Sequence, residues 1–321
     1  MKKRILLKDI AEKLNITTNT VSRALNDKPD ISESTKEEVR RVAEEIGYIP
    51  DIIASSMRTS CTKTVAVLFD NMTNPYFMIM ANAIENHLHD NDYQMMIFTV
   101  KTNAVLTMDI FKKMVSRKVD GVITFLRPEQ KVADLANNMH LPILVVGREA
   151  DDLNLDSIFT DDVSGGYLMG QYFYKKGYKT VGYLGGPVDI KCSLKRAEGI
   201  TDYCKEYGLT IHTRYEEWAD KSIIYKADEL VESGVEALFC FNDSIAYTLM
   251  SHFKTNYPEK KIEVTGYDNI ANQLQLPIKI TTIGTNTEKI ASICANRMMS
   301  KIGCFDQDLL TEIIEVKIIT N

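Results

Sequence analysis

Cysteine is sparse in this 321-residue chain: Cys61, Cys192, Cys204, Cys240, Cys294 and Cys304 are scattered, with no C-x-x-C pair. Neither a zinc site nor a disulfide framework is therefore suggested. No apolar run reaches about 18 residues, so no membrane-spanning helix is expected. The basic start Met1 to Arg4 is followed only by Ile5-Leu6-Leu7 before Lys8, too short an apolar run for a signal peptide. A soluble, cytoplasmic protein is expected. The chain also lacks G-x-G-x-x-G after its first strand, G-x-x-x-x-G-K-[ST], G-x-S-x-G and H-E-x-x-H. Nothing thus points to an enzyme, and no cofactor or metal is expected. His87 and His89 are two apart, a spacing that suits ligands on a strand, but the pattern around them is helical.

What is present begins at Leu6. Ile10, Ala11 and Leu14 recur at helical spacing, Asn15-Ile16 interrupts, and Val21, Ala24 and Leu25 resume the period from a new start. Two short amphipathic helices joined by a tight turn follow from this. Thr17 can cap the second, whose face opposite Val21 and Leu25 offers Thr18, Asn19, Ser22, Arg23 and Asn26, hydrogen-bonding types suited to base edges and phosphates. A third helix opens at Ser32, buries Val39, Val42, Ala43 and Ile46, and stops at Gly47. Residues 1 to 30 carry seven Lys/Arg against four acids, a net of +3 in a chain whose net is −6. The asymmetry directs a polyanion to the N-terminus, where phosphate contacts make binding salt-dependent.

From Lys63 onward β-branched runs alternate with helical segments. The expected strands are Thr64 to Phe69, Tyr93 to Thr99, Gly121 to Phe125, Pro142 to Gly147, Val181 to Leu184, Ala237 to Phe241, Ile262 to Tyr267 and Lys279 to Ile283. Near-continuous apolar strands between helices imply parallel sheets covered on both faces. Lys63-Thr64-Val65-Ala66-Val67-Leu68 returns in altered form as Lys179-Thr180-Val181-Gly182-Tyr183-Leu184, as though each copy opened a lobe of its own. Two sheets of moderate size are also more usual than one very wide sheet. Pockets for small polar ligands lie at the mouth between such lobes, near strand C-termini. Arg148, Asp161, Arg196, Asn242 and Asp268 all fall just after expected strands or early in the next helix.

These residues together resemble the lactose/galactose repressor (LacI/GalR) family from Leu6 to the last strand. The likeness is densest in D-I-A-E-K-L-N-I-T-T-N-T-V-S-R-A-L-N and in I-S-E-S-T-K-E-E-V-R-R-V-A-E-E-I-G-Y-I-P, through Pro50. The body matches in patches: N-P-Y-F from Asn74, G-R at Gly147-Arg148, T-D-D-x-x-G-G-Y from Thr160, G-G-P at Gly185, S-x-x-R-x-x-G from Ser193, F-N-D from Phe241 and G-Y-D-N from Gly266.

The resemblance implies an N-terminal all-α helix-turn-helix domain over 1–50, a hinge helix and linker over 51–62, and a two-lobed α/β body over 63–321. The body would resemble a periplasmic binding protein, with two parallel, Rossmann-like sheets. Lobe 1 would hold about 63–160 plus 288–305, and lobe 2 about 161–287 plus 311–319. DNA would be met by Thr17, Thr18, Asn19, Ser22, Arg23 and Asn26, with Met57 of the hinge wedged into the minor groove where the family usually has Leu. The effector would be lined by Tyr76, Phe77, Arg148, Asp161, Arg196, Trp218, Asn242 and Asp268. Asp161 could instead cap a helix beginning near Val163, and Trp218 could be core. The implied partners are a pseudo-palindromic operator, a small effector (most commonly a sugar) and a second copy of the chain. Glu288 to Lys301 is amphipathic and is expected to return to lobe 1. The Met pairs at 78/80, 95/96 and 298/299 suit core gaps or the dimer face. With a final strand expected over 312–320, little or no tetramerising tail is expected, and a dimer is the expected state.

Overall fold

Residues 5–49, 61–70, 72–100, 105–216 and 222–320 are described by the computed structural model, and the chain divides into two units, Met1–Thr62 and Lys63–Asn321. The expected hinge helix, Met57 included, lies outside the described residues. Among its described residues the first unit holds three helices, Leu7–Leu14, Thr18–Leu25 and Glu33–Ile46. Local chemistry sets their ends. Asn15 takes a left-handed conformation (φ 52°) that ends the first helix, Thr17 Oγ1 accepts from Thr20 N at 3.1 Å to start the second, and Ser32 Oγ accepts from Thr35 N at 3.3 Å to start the third. Ile10, Ala11, Val21, Ala24, Val39, Val42 and Ala43 close a small core between them.

Among its described residues the second unit holds two six-stranded sheets. In the first lobe β1 (Thr64–Phe69), β2 (Gln94–Thr99), β4 (Gly121–Thr124), β6 (Ile143–Val146) and β7 (Asp156–Thr160) are joined by helices, while β3 (Val105–Leu106) and β5 (Arg127–Pro128) form a separate ribbon. In the second lobe β8 (Thr180–Gly185), β9 (Thr210–Tyr215), β10 (Ala237–Cys240), β11 (Glu263–Tyr267) and β12 (Thr282–Gly284) follow the same plan, and β13 (Thr311–Ile314) and β14 (Lys317–Ile319) come last in the chain. Successive side chains alternate between faces, as on any strand. Val65, Val67 and Phe69 meet the helices Pro75–His89 and Thr287–Gly303, while Ala66 and Leu68 meet Met108–Ser116 and Gln130–Asn138. Met80 and Met298 fill this core, and Met78 remains partly exposed.

The internal repeat is structural. The first sheet runs β13-β7-β6-β4-β1-β2 and the second β14-β12-β11-β10-β8-β9, so β1 and β8, which carry the two motif copies, occupy the same place one strand from the edge. The last segment corrects the sequence reading. The strand expected over 312–320 is two strands, and only β14 joins the second sheet, antiparallel to β12. β13 pairs in parallel with β7 of the first lobe and buries Ile314 there. The chain has just re-entered that lobe through the Thr287–Gly303 helix, which packs on Pro75–His89, and an edge strand is the nearest partner for its backbone. β7 and β9 were not expected; β9 is an edge strand of mostly polar residues, with only Ile211 and Tyr215 apolar, so no buried run marks it.

Candidate functional site

In the first unit the second helix exposes Thr18 and Asn19, with the half-buried Ser22 and Arg23 one turn and the exposed Asn26 two turns further along the same face. Two of these groups are already engaged. Asn26 Nδ2 donates to Ser22 O at 2.6 Å, and Arg23 donates through Nε and Nη2 to the Asp30 carboxylate, which it holds below the usual carboxylate range.

In the second unit a cavity of ≈ 210 Å³ opens between the lobes, lined from the C-terminal ends of the strands of both sheets. Lobe 1 supplies Asp70, Tyr76, Phe77, Phe125 and Arg148; lobe 2 supplies Cys192, Arg196, Glu216, Phe241, Asn242, Tyr267, Asp268 and Thr285. Gly147 has φ +76°, and this left-handed turn directs the chain from β6 into Arg148, whose Nε donates to Phe125 O at 3.1 Å. Tyr76, Phe77, Phe69 and Phe125 pack edge-on and tilted at centroid distances of 4.8 to 5.7 Å, making one apolar wall. Burial, and after it the Asp268 charge, pushes the Tyr76 phenol up, so it remains a neutral donor.

Arg196 is the best-determined polar group. It sits between aromatic rings, its guanidinium 3.4 Å from the Tyr267 centroid and 5.0 Å from that of Phe241. Nε donates to Asp162 Oδ1 at 2.8 Å and Nη1 to Phe241 O at 2.6 Å, while Nη2 has no partner among the described residues. The Asp162 contact needs two helices to touch. A Cβ on Gly199 would lie 1.9 Å from Val163 O, and one on Gly166 would lie 2.1 Å from Arg196 O, so only glycine allows Asp162–Lys176 and Lys191–Tyr207 to cross so closely. Burial works against the Arg196 charge, and Asp162, with Tyr267, Cys192 and Asp268 behind it, together more than offset it.

Asp268 stands opposite in chemical character. Its φ is 110°, a conformation costly for a residue with a Cβ, and Asn269 follows in the left-handed region. Asp243 pins this loop: its Oδ2 accepts from Ile270 N at 2.8 Å and its Oδ1 from Thr282 Oγ1 at 2.7 Å. The Asp268 carboxylate is buried yet accepts no hydrogen bond among the described residues, and burial, aided by Asp243 and Asp162 and opposed by Arg196, raises its pKa well above the carboxylate range. Thr285 Oγ1 is likewise buried without a hydrogen-bond partner among the described residues. The lobes are tied across the cleft by Ser244 Oγ to Asn74 Oδ1 at 3.2 Å, and by Glu149 to Lys195 and Lys191.

Residues 62–320 match the family described as periplasmic binding proteins and sugar binding domain of LacI family, and residues 6–51 match bacterial regulatory proteins, lacI family. The chain belongs to the LacI family. It is 25% identical over 306 residues to the HTH-type transcriptional repressor PurR of Photobacterium profundum, a match covering 92% of this chain and 91% of that one. Among solved structures it resembles the lac repressor dimer bound to operator and the anti-inducer ONPF (TM-score 0.82, 18% identity, 99% and 98% covered). It also resembles a complex of the transcriptional regulator CelR with cellobiose (TM-score 0.67, 20% identity, 99% of each chain). As a LacI-family protein it is a DNA-binding transcriptional regulator with an effector-binding domain, and not an enzyme. No described helix is long and apolar enough to cross a membrane.

Of the effector residues expected for this LacI-family chain, Tyr76, Phe77, Arg148, Arg196, Asn242 and Asp268 come together on the cavity. Asp161 does not line it. Its Oδ1 accepts from Ser164 N at 3.0 Å and its Oδ2 from Ser164 Oγ at 2.6 Å, so it caps the Asp162–Lys176 helix, and the next residue, Asp162, reaches Arg196 instead. Trp218 lies outside the described residues. Asp162 was missed, although T-D-D four residues before Gly166 and R-x-x-G from Arg196 to Gly199 are the small-residue spacings of a tight helix crossing.

Proposed function

We propose that this LacI-family regulator is a homodimeric, cytoplasmic repressor of a pseudo-palindromic operator, released or engaged by an uncharged sugar held between its lobes. The observation that carries the ligand class is the pair Arg196 and Asp268. A guanidinium with donors to spare and a carboxylate with no donor among the described residues face one cavity between aromatic rings, an arrangement that suits neighbouring hydroxyls, each both donor and acceptor. Asp70 and Glu216 balance Arg148 and Arg196 on the lining, and Asp268 adds a carboxyl held towards its neutral form, so no excess positive charge calls for a phosphorylated ligand and a neutral one is favoured. The cellobiose bound to CelR supports a carbohydrate as the class.

On DNA, Thr17, Thr18, Asn19, Ser22, Arg23 and Asn26 would face the major groove and Met57 the minor groove. Two copies would set half-sites about 34–36 Å apart. A thermal-shift screen of sugars, sugar phosphates, nucleobases and nucleosides tests the ligand: at 100 times its Kd the true effector stabilises by about 2.7 kcal/mol. A response to nucleobases alone would replace the sugar reading, and full-affinity footprinting of one unrepeated half-site would remove the dimer.

A further inference from the structure

The turn after the second helix brings an acid back onto the DNA-reading face. Asn26 and Asp27 end the helix, Asp27 at φ 55°, and Lys28 N donates back to Arg23 O at 3.1 Å. Ile31 N then donates to Lys28 O at 3.2 Å, and Ile31 packs on the domain core, so Pro29 and Asp30 are folded alongside the last helical turn. There Asp30 takes Arg23 from one side. Nε donates to Oδ2 at 2.8 Å and Nη2 to Oδ1 at 2.5 Å, while Nη1 has no partner among the described residues.

Both side chains are substantially exposed, 41% for Arg23 and 51% for Asp30, and an ion pair so placed adds little to stability. Its consequence is geometric. A guanidinium offers parallel N–H groups along two usable edges, and the carboxylate consumes the Nε/Nη2 edge. The edge left over, Nη1 with the second proton of Nη2, matches the adjacent O6 and N7 acceptors that guanine alone presents in the major groove. A second effect has the same direction: the Asp30 charge repels backbone phosphates, towards which an unheld arginine would turn.

We propose that Asp30 is a positioning residue for base reading, holding Arg23 with its free edge towards a guanine of the operator and away from phosphate. The proposal rests on Arg23 being a base-contacting residue, and the experiment separates the two. An operator is selected from random duplex DNA with the full-length protein. Affinities are then measured for that duplex, for duplexes with each guanine replaced, and for random DNA, using wild type, Asp30→Ala, Asp30→Asn, Arg23→Ala and the double Ala variant.

Asp30→Ala is expected to cut discrimination at one guanine per half-site by about 5- to 50-fold, to leave or raise affinity for random DNA, and to leave the melting temperature unchanged. Asp30→Asn, which keeps one acceptor, should fall between. The double variant should discriminate no worse than Arg23→Ala, since both changes remove one device. Equal change on every duplex for Asp30→Ala would reduce Asp30 to a surface charge and overturn the proposal. Undiminished discrimination in Arg23→Ala would overturn the premise itself, whatever Asp30 does.

Discussion

Asp268 and Arg196 share a cavity, yet they differ in what else depends on them. Arg196 holds Asp162 and the Phe241 carbonyl and fills the space between two rings. Arg196→Ala should therefore strip ligand binding and also destabilise the fold by about 3–5 kcal/mol, because Asp162 would stay buried without its counter-charge. Denaturant titration of the variant checks this. Asp268 makes no comparable side-chain bond, so Asp268→Asn is the cleaner probe: effector affinity should fall by about 2–4 kcal/mol, with operator affinity in the absence of effector and the melting temperature nearly kept. Retained affinity in calorimetry would mean that the carboxylate does not touch the ligand. Its raised pKa adds a sign. Hydroxyl donors favour the charged form, so binding should release protons and tighten as pH rises, visible as a dependence of the calorimetric enthalpy on buffer ionisation.

Elements set these residues where they are. The crossing of Asp162–Lys176 with Lys191–Tyr207 rests on Gly166 and Gly199, so Gly199→Ala should part the helices. The usual gain of alanine over glycine within a helix, about 1 kcal/mol, is expected to be outweighed, for a net loss of about 1–3 kcal/mol and weaker ligand binding, read by melting and calorimetry on one sample. The loop 267–270 depends on Asp243, whose pKa burial raises to about 6 from 3.8. The folded state then holds this proton more tightly than the unfolded chain does. Stability from this group is fully present below about pH 4 and is lost as pH rises through about 6, a total of roughly 3 kcal/mol. Asp243→Asn should flatten that part of the stability profile; an unchanged slope between pH 4 and 6 would show that Asp243 ionises in the fold as readily as in the unfolded chain.

At the scale of the whole second unit, the lobes are held by few bonds. Glu149 with Lys191 and Lys195 is partly exposed, its side chain 30% accessible, so the tie is worth at most about 1 kcal/mol and is screened by salt. Glu149→Gln should weaken effector affinity by about 2- to 5-fold at low salt and by almost nothing at high salt, since the lobe arrangement it favours is the one that encloses the ligand. Calorimetry at two ionic strengths decides it. An equal loss at both would indicate a direct ligand contact. Because the effector can shift DNA binding only by its preference between lobe arrangements, the same variant should respond less fully to effector in an operator titration.

Short-range pattern was enough for much of this protein. The three helices of the first unit, their caps at Thr17 and Ser32 and the stop at Gly47 were legible because each depends on residues no more than four apart. So were most buried strands, and the repeat that places β1 and β8 alike. Four polar residues of the cavity, Arg148, Arg196, Asn242 and Asp268, were legible as well, because each follows an apolar strand or opens the next helix, whereas Tyr76 and Phe77 were named only through the family resemblance. Tertiary structure decided what depends on distant partners. Asp161 and Asp162 are neighbours of one type, and only the approach of the Lys191–Tyr207 helix makes the first a cap and the second the counter-ion of Arg196. The segment after residue 310 likewise reads as one strand until two sheets compete for it, and its division between them follows from which edge each half can reach. Asp30 carries no mark of its role in sequence, because its meeting with Arg23 comes from the anchoring of Ile31 in the core.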